Sequence, residues 1–229
     1  MINYQDNNQI KLMGTVVSDK VFSHEVYGEG FYSFDLEVPR LSDTSDIIPI
    51  IISERLLINI NFHVGQKVAL EGQYRSYNNV TDNKNKLVLS CFAKEIREQT
   101  EEDFNKNTNE IILNGFICKK PIYRTTPFGR EIADILLAVN RAYNKSDYIP
   151  CIAWGRNARF CQSVEVGQNV KMLGRIQSRL YEKKLEDGNS EIRRAFEVSV
   201  AKMELEKGAN QEDAASEAND NSINEEQIG

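Results

Sequence analysis

Residues 8–18 read NQIKLMGTVVS, and residues 109–119 read NEIILNGFICK. The two stretches match at an offset of 101 residues, and the same offset pairs Arg40 with Arg141. Matches at this or a neighbouring offset continue to the end of each copy. A repeat of about 100 residues is far longer than the repeat of a solenoid and has the size of an ordinary domain. The chain is therefore predicted to be a tandem duplication of one domain.

Each copy shows the same order of predicted elements. Short runs rich in Ile, Val, Leu, Phe and Tyr are separated by turn residues, and a short helix follows the third run. Glycines recur in the first strands, at Gly14 and Gly115, where a small barrel must bend sharply. Five strands with one short helix between strands 3 and 4 are typical of the oligonucleotide-binding (OB) barrel. The sequence therefore predicts an all-β fold of two tandem five-stranded OB barrels.

The boundaries of these elements follow from the repeat. The predicted strands of the first copy span 9–18, 31–39, 47–53, 66–77 and 86–97, and its helix spans 54–62. The predicted strands of the second copy span 110–119, 132–140, 148–154, 168–181 and 192–205, and its helix spans 156–164.

The remaining segments divide the chain into domains. We place the first OB barrel at residues 1–97 and the second at 109–206. Residues 98–108 are polar and acidic, which is typical of a linker. Residues 207–229 are rich in Asn, Ala, Glu and Gln and contain almost no large apolar side chains. Such a composition buries too little surface to offset the cost of ordering, so we expect a disordered acidic C-terminal tail.

Charge is unevenly distributed along the chain, whose net charge is −6. Residues 1–107 carry 11 basic and 16 acidic side chains, whereas residues 108–206 carry 16 basic and 12 acidic side chains. An acidic chain is an unusual nucleic-acid binder, but here the basic groups are concentrated in the second copy. The first copy is predicted to be acidic and the second basic.

The second copy also places aromatic rings beside basic side chains. Trp154, which is the only tryptophan, ends its third predicted strand, and Tyr143 and Tyr181 end the second and fourth. Each of these rings has an arginine nearby in the sequence. Rings that stack on bases, next to cations that neutralise phosphates, are the composition of a surface that binds single-stranded nucleic acid.

In these features the second copy resembles the bacterial single-stranded DNA-binding protein (SSB) family. The resemblance implies that bases stack on Tyr143, Tyr148, Trp154 and Tyr181. It also implies a homodimer of this tandem chain, because assemblies of the family present four OB barrels. The matching stretches are Ile111–Gly115 with Pro121, Thr126–Gly129, Ala138–Tyr143, Tyr148–Ala158, Gly167–Leu173, Gly174–Tyr181 and Phe196–Ala201.

Basic side chains of the second copy are expected to contact phosphates as a group. These are Lys119, Arg124, Arg141, Arg156, Arg175 and Arg179.

The first copy departs from the pattern of the family. Three positions that are aromatic in the second copy hold Ser42, Ile47 and Ser53 instead. Only Tyr74 and Tyr77, near the loop after the fourth strand, remain as candidate stacking platforms. Binding is therefore expected mainly through the second copy.

Several other classes of function are disfavoured. There is no phosphate-binding loop, nucleophile elbow or H-E-x-x-H motif, so we expect no enzyme. The N-terminus is polar, and no apolar run approaches the ~20 residues of a membrane span, so a cytoplasmic, nucleoid-associated protein is expected. Four scattered cysteines and two histidines predict neither a metal site nor a cofactor. These residues are Cys91, Cys118, Cys151, Cys161, His24 and His63.

The predicted function is sequence-independent binding and protection of single-stranded DNA during replication, recombination and repair. Two alternatives are a protein-interaction OB module of a replisome or primosome and an RNA-binding OB protein, since every base has a face to stack. The resemblance also implies that replication and repair proteins bind the acidic tail. Here the chain ends in Gln227-Ile228-Gly229, without the proline and aromatic residue of the family's tail.

Overall fold

The computed structural model describes residues 7–81, 84–103, 106–184 and 189–206. The predicted tail at 207–229 lies outside the described residues. Twelve strands occur in the described part of the chain. In the first copy they are β1 (Asn8–Val16), β2 (Val21–Val26), β3 (Glu29–Pro39), β4 (Ser45–Ser53), β5 (Lys67–Thr81) and β6 (Lys84–Glu98). In the second copy they are β7 (Asn109–Ile117), β8 (Ile122–Thr125), β9 (Glu131–Arg141), β10 (Lys145–Trp154), β11 (Asn169–Lys184) and β12 (Ser190–Leu205).

The predicted helices begin where the structure has helical residues, but both are shorter. In the first copy the helix is a single 3₁₀ turn at Glu54–Leu57. In the second, α1 (Arg156–Phe160) continues into a 3₁₀ turn at Cys161–Ser163. The residues after the first turn alternate isoleucine with asparagine, and both types are weak helix formers. A further 3₁₀ turn at Glu101–Asp103 lies in the predicted linker.

Five strands of each copy close into a ring. In the first copy β1 pairs with both β3 and β5, and β4 joins β6 in a parallel pair at Ile50 and Cys91. In the second copy β7 pairs with both β9 and β11, and β10 joins β12 in a parallel pair at Cys151 and Val198. The duplicated sequence thus folds into two barrels with the same strand order.

Each copy also contains a sixth strand, between the first and second predicted strands, where five strands per copy were predicted. β2 pairs with β3 and β8 pairs with β9 at the two ends of the sheet. All six residues of β2 are exposed. A strand without a buried face has no alternation of apolar and polar residues, which is the signal that identifies most strands.

Two of the repeated glycines lie where strands approach closely. A Cβ atom on Gly14 would lie 2.2 Å from the carbonyl oxygen of Glu37, and one on Gly115 would lie 2.4 Å from that of Ala138. Both distances are shorter than any real contact of a Cβ atom, so β1 and β7 can cross their neighbours only with glycine there. These glycines were predicted where the barrel bends, and the structure shows that they permit a close approach of neighbouring strands.

The barrels are joined by antiparallel pairing of β1 with β7. Ile10 lies opposite Ile111, while Asn8 lies opposite Leu113 and Leu12 opposite Asn109. These pairs are equivalent under the 101-residue repeat, so the two copies are related by an approximate two-fold axis at the Ile10–Ile111 pair. The result is one continuous sheet of twelve strands through both barrels.

A buried aspartate of the first barrel contacts the second barrel. Asp46 accepts two hydrogen bonds from Arg40, at 2.8 and 2.6 Å, and one from the backbone N–H of Ser178 at 2.7 Å. The same arginine donates to the Ser178 carbonyl at 2.9 Å. Burial raises the pKa of Asp46, but the hydrogen bonds from Arg40 and Ser178 outweigh it, so its pKa lies below the ordinary value. This aspartate therefore stabilises the contact between barrels in its ionised form.

The equivalent aspartate of the second barrel is less well satisfied. Asp147 accepts a hydrogen bond from the backbone N–H of Ser76 at 2.7 Å through one oxygen. Its other oxygen lies 3.4 Å from Nε of Arg141, and neither atom has a hydrogen-bond partner among the described residues. Burial raises the pKa of Asp147, and Ser76, Arg141 and Arg75 offset this only in part. The two-fold symmetry is thus broken in the electrostatics of the contact.

Candidate nucleic-acid interface

The outer face of the second barrel carries two aromatic rings on β10. Tyr148 is 46% exposed and Trp154 is 37% exposed, whereas Ile149 and Cys151, which alternate with them, are buried. Trp154 ends β10 in the same phase of the strand alternation as Tyr148 and out of phase with the buried Ala153, and successive side chains of a strand point to opposite faces. Trp154 is therefore a surface residue at the end of its strand and does not fill the barrel.

A third ring lies on the same face, on the long hairpin of β11 and β12. Val170, Met172 and Ile176 of β11 are buried in one phase of the strand alternation. Arg175, Arg179 and Tyr181 lie in the opposite phase, and all three are exposed. Tyr181 is 38% exposed, and the guanidinium of Arg179 lies 5.8 Å from the centre of its ring. Cation and ring therefore form one continuous surface.

Tyr143 lies in the turn between β9 and β10. Tyr143 and Asn144 both have positive φ angles, of 60° and 54°, which turn the chain back tightly after Arg141. The ring is 94% exposed. It projects from the end of the hairpin, so the four predicted rings all lie at the surface of the second barrel.

The predicted basic residues differ in whether an acidic side chain pairs with them. Lys119, Arg156 and Arg175 are exposed. Arg124 is paired with Asp134 at 2.8 Å, and Arg179 with Glu197 at 3.5 Å. The Arg124–Asp134 pair is exposed, and exposed ion pairs contribute little to stability, so Arg124 can exchange its carboxylate for a phosphate at small cost. The Glu197 partner of Arg179 is only 12% exposed.

Arg141 was also expected to contact a phosphate, and in the structure it lies beside a buried carboxylate. Its side chain is half-buried against Asp147, at the contact between the barrels. A buried carboxylate attracts a nearby guanidinium more strongly than an exposed one does. The strand position that follows the family pattern therefore serves the barrel contact in this chain.

Tyr74 was expected to be a stacking platform, and this prediction is wrong. Its side chain is fully buried in the core of the first barrel, and burial raises the pKa of its hydroxyl well above the ordinary value. It lies in phase with the buried Val68 and Leu70 of β5, so strand alternation points it inward. Asn8 holds its backbone, donating to the Tyr74 carbonyl at 2.7 Å and accepting from its N–H at 2.8 Å. Tyr77, three residues on, is 56% exposed.

The first barrel carries other rings on its outer face that sequence comparison missed. The rings of His24, Phe31 and Phe92 contact one another in a row, and the guanidinium of Arg75 lies over the last of them. Comparison of equivalent positions finds none of these residues, because the rings occupy different positions from those of the second barrel. Alternation with buried neighbours could have marked Phe31 and Phe92 as outward, whereas β2, which holds His24, has no buried face and so no such signal.

The described residues contain neither a cluster of metal ligands nor a helix that could span a membrane. Within 7–81, 84–103, 106–184 and 189–206, no three His, Cys, Asp or Glu side chains come together in a way that could hold a metal ion. Over the same residues, no helix is long and apolar enough to cross a membrane.

Cys161 is buried, which raises the pKa of its thiol to about 11.

Comparison with known proteins gives a consistent result for the second copy. A model of the single-strand binding protein family matches residues 108–206. Single-stranded DNA-binding protein 1 of Staphylococcus aureus is 36% identical over 99 residues, which cover 40% of this chain and 56% of that protein. Single-stranded DNA-binding protein B of Bacillus subtilis is 36% identical over 84 residues, which cover 32% of this chain and 72% of that protein. The chain thus spans little more than half the length of the first of these relatives.

A solved structure resembles both copies together. The crystal structure of the single-stranded DNA-binding protein from Thermus aquaticus superposes with a TM-score of 0.71 and 18% identity. The superposition covers 88% of this chain and 94% of that one. At this identity the likeness concerns the fold, and it extends over both barrels.

Proposed function

The chain belongs to the single-strand binding protein family, and we propose that it binds single-stranded DNA without regard to sequence, mainly through the second barrel. In this proposal it protects exposed single strands during replication, recombination and repair, and it catalyses no reaction. Residues 1–97 and 109–206 are taken as two OB domains, joined by 98–108. The binding needs neither a metal ion nor another cofactor.

One observation carries this proposal above the others. Tyr148, Trp154 and Tyr181 lie on one face of the second barrel, and Arg175 and Arg179 lie on the same strand as Tyr181 and in the same phase. In binding proteins of this kind each stacked base is worth ~1–3 kcal/mol, so four rings give ~4–12 kcal/mol before the cost of ordering the strand. Duplex DNA is excluded because its bases are already stacked on one another.

The single tryptophan provides the first test. Titration with oligo-dT is expected to quench the fluorescence of Trp154 strongly, because a base stacked on the indole ring deactivates its excited state. A duplex of equal length is the control and should leave the emission unchanged. The affinity should fall with salt, with a logarithmic slope of about −0.7 for each phosphate neutralised. Full binding without any change in Trp154 emission would contradict the assignment of this ring.

Competition separates the main proposal from the RNA-binding alternative. We expect poly-dT to displace labelled oligo-dT at lower concentration than poly-U does. Equal or better competition by poly-U would make RNA the ligand. Negligible affinity for both polymers at moderate salt, with a replication protein retained on the column, would move the chain to the protein-interaction class.

Assembly and localisation follow from the same proposal. Two copies of the chain would present four barrels, so we propose a homodimer in the cytoplasm, associated with the nucleoid. The acidic residues of 207–229 are proposed to recruit replication or repair proteins, although the ending differs from the family's tail. Sedimentation of the full-length protein with and without residues 207–229 tests whether the dimer depends on that segment.

A further inference from the structure

The aromatic rings on the outer face of the first barrel occupy positions that are not aromatic in the second barrel. In the second barrel Trp154 on β10 lies opposite Ile132 on β9. In the first barrel the equivalent pair is Ser53 on β4 and Phe31 on β3. The aromatic member of the pair is thus on the third strand of the OB barrel in the second copy and on the second strand in the first copy. Opposed side chains in a sheet lie about 5 Å apart, so the ring has moved by only one strand spacing.

A second aromatic ring on this face lies where the second barrel has a serine. Phe92 pairs with Ile51 of β4, whereas the equivalent pair in the second barrel is Ser199 with Ile152. A ring on β6 thus replaces a serine on β12. The aromatic content of the face is retained in the first barrel, although none of its rings occupies a position that is aromatic in the second.

These rings form a row across four strands. The rings of His24 and Phe31 are stacked, with centres 5.0 Å apart and planes inclined by 6°. Phe31 and Phe92 follow at 5.6 Å, and the guanidinium of Arg75 lies 3.8 Å from the centre of the Phe92 ring. The row therefore runs from β2 through β3 and β6 to β5, and it ends in a cation.

The exposure of the row suits a flat ligand. His24 is exposed, and among the described residues no ring other than Phe31 contacts it. A base that stacks on the imidazole would lengthen the row by one ring. At the other end, Tyr77 is 56% exposed on the same face of β5 as Arg75. The row therefore offers a stacking position at each end and one cation for a phosphate.

We infer that the outer face of the first barrel is a second stacking site for single-stranded DNA, built on His24, Phe31, Phe92 and Tyr77. This inference rests on the proposed function, because it gives the first barrel the same ligand as the second. A row of rings closed by a guanidinium matches the alternation of bases and phosphates in a single strand. Asp35 and Glu37 lie further along the same face, so this site neutralises fewer phosphates.

Photochemical cross-linking of the full-length chain to oligo-dT tests the site directly. We expect adducts on peptides that carry His24 or Tyr77, in addition to adducts on the second barrel. Adducts confined to the second barrel would overturn the inference while leaving the proposed function in place. Adducts confined to the first barrel would support the inference and overturn the role proposed for Trp154. Absence of any adduct would overturn both.

A substitution with a matched control gives a second test. Phe31→Leu removes an outward ring, and Phe34→Leu makes the same change three residues on, where the ring is buried in the core. We expect Phe31→Leu together with His24→Ala to reduce the number of nucleotides occluded per chain and to weaken binding of long oligo-dT about 10-fold. Quenching of Trp154 by a short oligonucleotide should not change.

The control distinguishes stability from binding. Phe34→Leu is expected to lower the melting temperature but to keep the occluded length and the affinity of the wild type. If the Phe31→Leu, His24→Ala variant occludes as many nucleotides as the wild type with equal affinity, the first barrel has no stacking site. If Phe34→Leu shortens the occluded length by the same amount while folded, the effect of Phe31 is structural and the inference fails.

Discussion

Replacing Trp154 and Tyr181 together with alanine is expected to weaken the binding of oligo-dT about 100-fold, while the melting temperature stays within a few degrees of the wild type. Each ring that stacks on a base contributes ~1–3 kcal/mol, and ~1.4 kcal/mol corresponds to a tenfold change in affinity. The two rings are 37% and 38% exposed on the outer face, and the barrel interior does not depend on them. Anisotropy of a labelled oligo-dT measures the affinity without the tryptophan.

A conservative variant makes this result specific. Trp154→Phe with Tyr181→Phe keeps a ring at each position and is expected to bind within about threefold of the wild type, because stacking needs only an aromatic face. If the alanine variant retained the affinity of the wild type, the stacking surface would not lie on these strands. If the phenylalanine variant bound as poorly as the alanine variant, the rings would act through their polar atoms and not by stacking.

The second large effect concerns the contact between the barrels. Asp46→Asn is expected to lower the free energy of unfolding by about 3 kcal/mol at neutral pH, the low end for breaking a buried ion pair. The variant retains an acceptor for the Ser178 N–H, but it places an amide N–H₂ group against the guanidinium of Arg40. Urea unfolding followed by circular dichroism measures the change.

The equivalent substitution in the other barrel is the matched control. Asp147→Asn is expected to change the free energy of unfolding by no more than about 1 kcal/mol, because the oxygen that it replaces has no hydrogen-bond partner. The remaining oxygen still accepts from the Ser76 N–H. Equal losses in the two variants would show that the asymmetry between the two contacts has no energetic consequence.

The pH dependence of the two variants should run in opposite directions. The folded-state pKa of Asp46 is lowered, so its stabilisation is present above its unfolded pKa of about 4 and disappears as the pH falls through the folded value. The deficit of Asp46→Asn should therefore shrink in acid. The folded-state pKa of Asp147 is raised, so ionisation costs stability as the pH rises through that value. Asp147→Asn should improve relative to the wild type over the same rise.

The duplicated sequence was sufficient to predict the barrels, and the reason is physical. Inward apolar residues alternate with outward residues along each strand, and glycines such as Gly14 and Gly115 recur where strands cross. Because this pattern occurs in both copies, it predicts the same strand order in each of them. The rings of the second barrel were found because they end predicted strands. Their outward direction could also be predicted from alternation, as at Tyr148 and Trp154.

The errors have equally specific causes. Tyr74 was misplaced because it was assigned by its distance from the loop after the fourth strand, whereas strand alternation puts it in phase with the buried Val68 and Leu70 and so predicts an inward side chain. The contact of Arg141 with Asp147 was not foreseen because Asp147 is a polar residue that the assembled pair of barrels buries. The row that begins at His24 was missed because pairing across four strands brings it together. Long-range register of this kind is the part of the fold that one sequence specifies least directly.

The pairing of β1 with β7 has a consequence for how the two halves change over time. In a pair of identical chains, every substitution occurs on both sides of the dyad, and the association weakens on dilution. Here the two halves are covalently linked, so they remain associated at any protein concentration. A mutation alters one half and spares the other, as the exchange of Ser53 and Phe31 for Trp154 and Ile132 illustrates. The tandem duplication therefore lets the outer surface of each barrel change by mutation independently of the other.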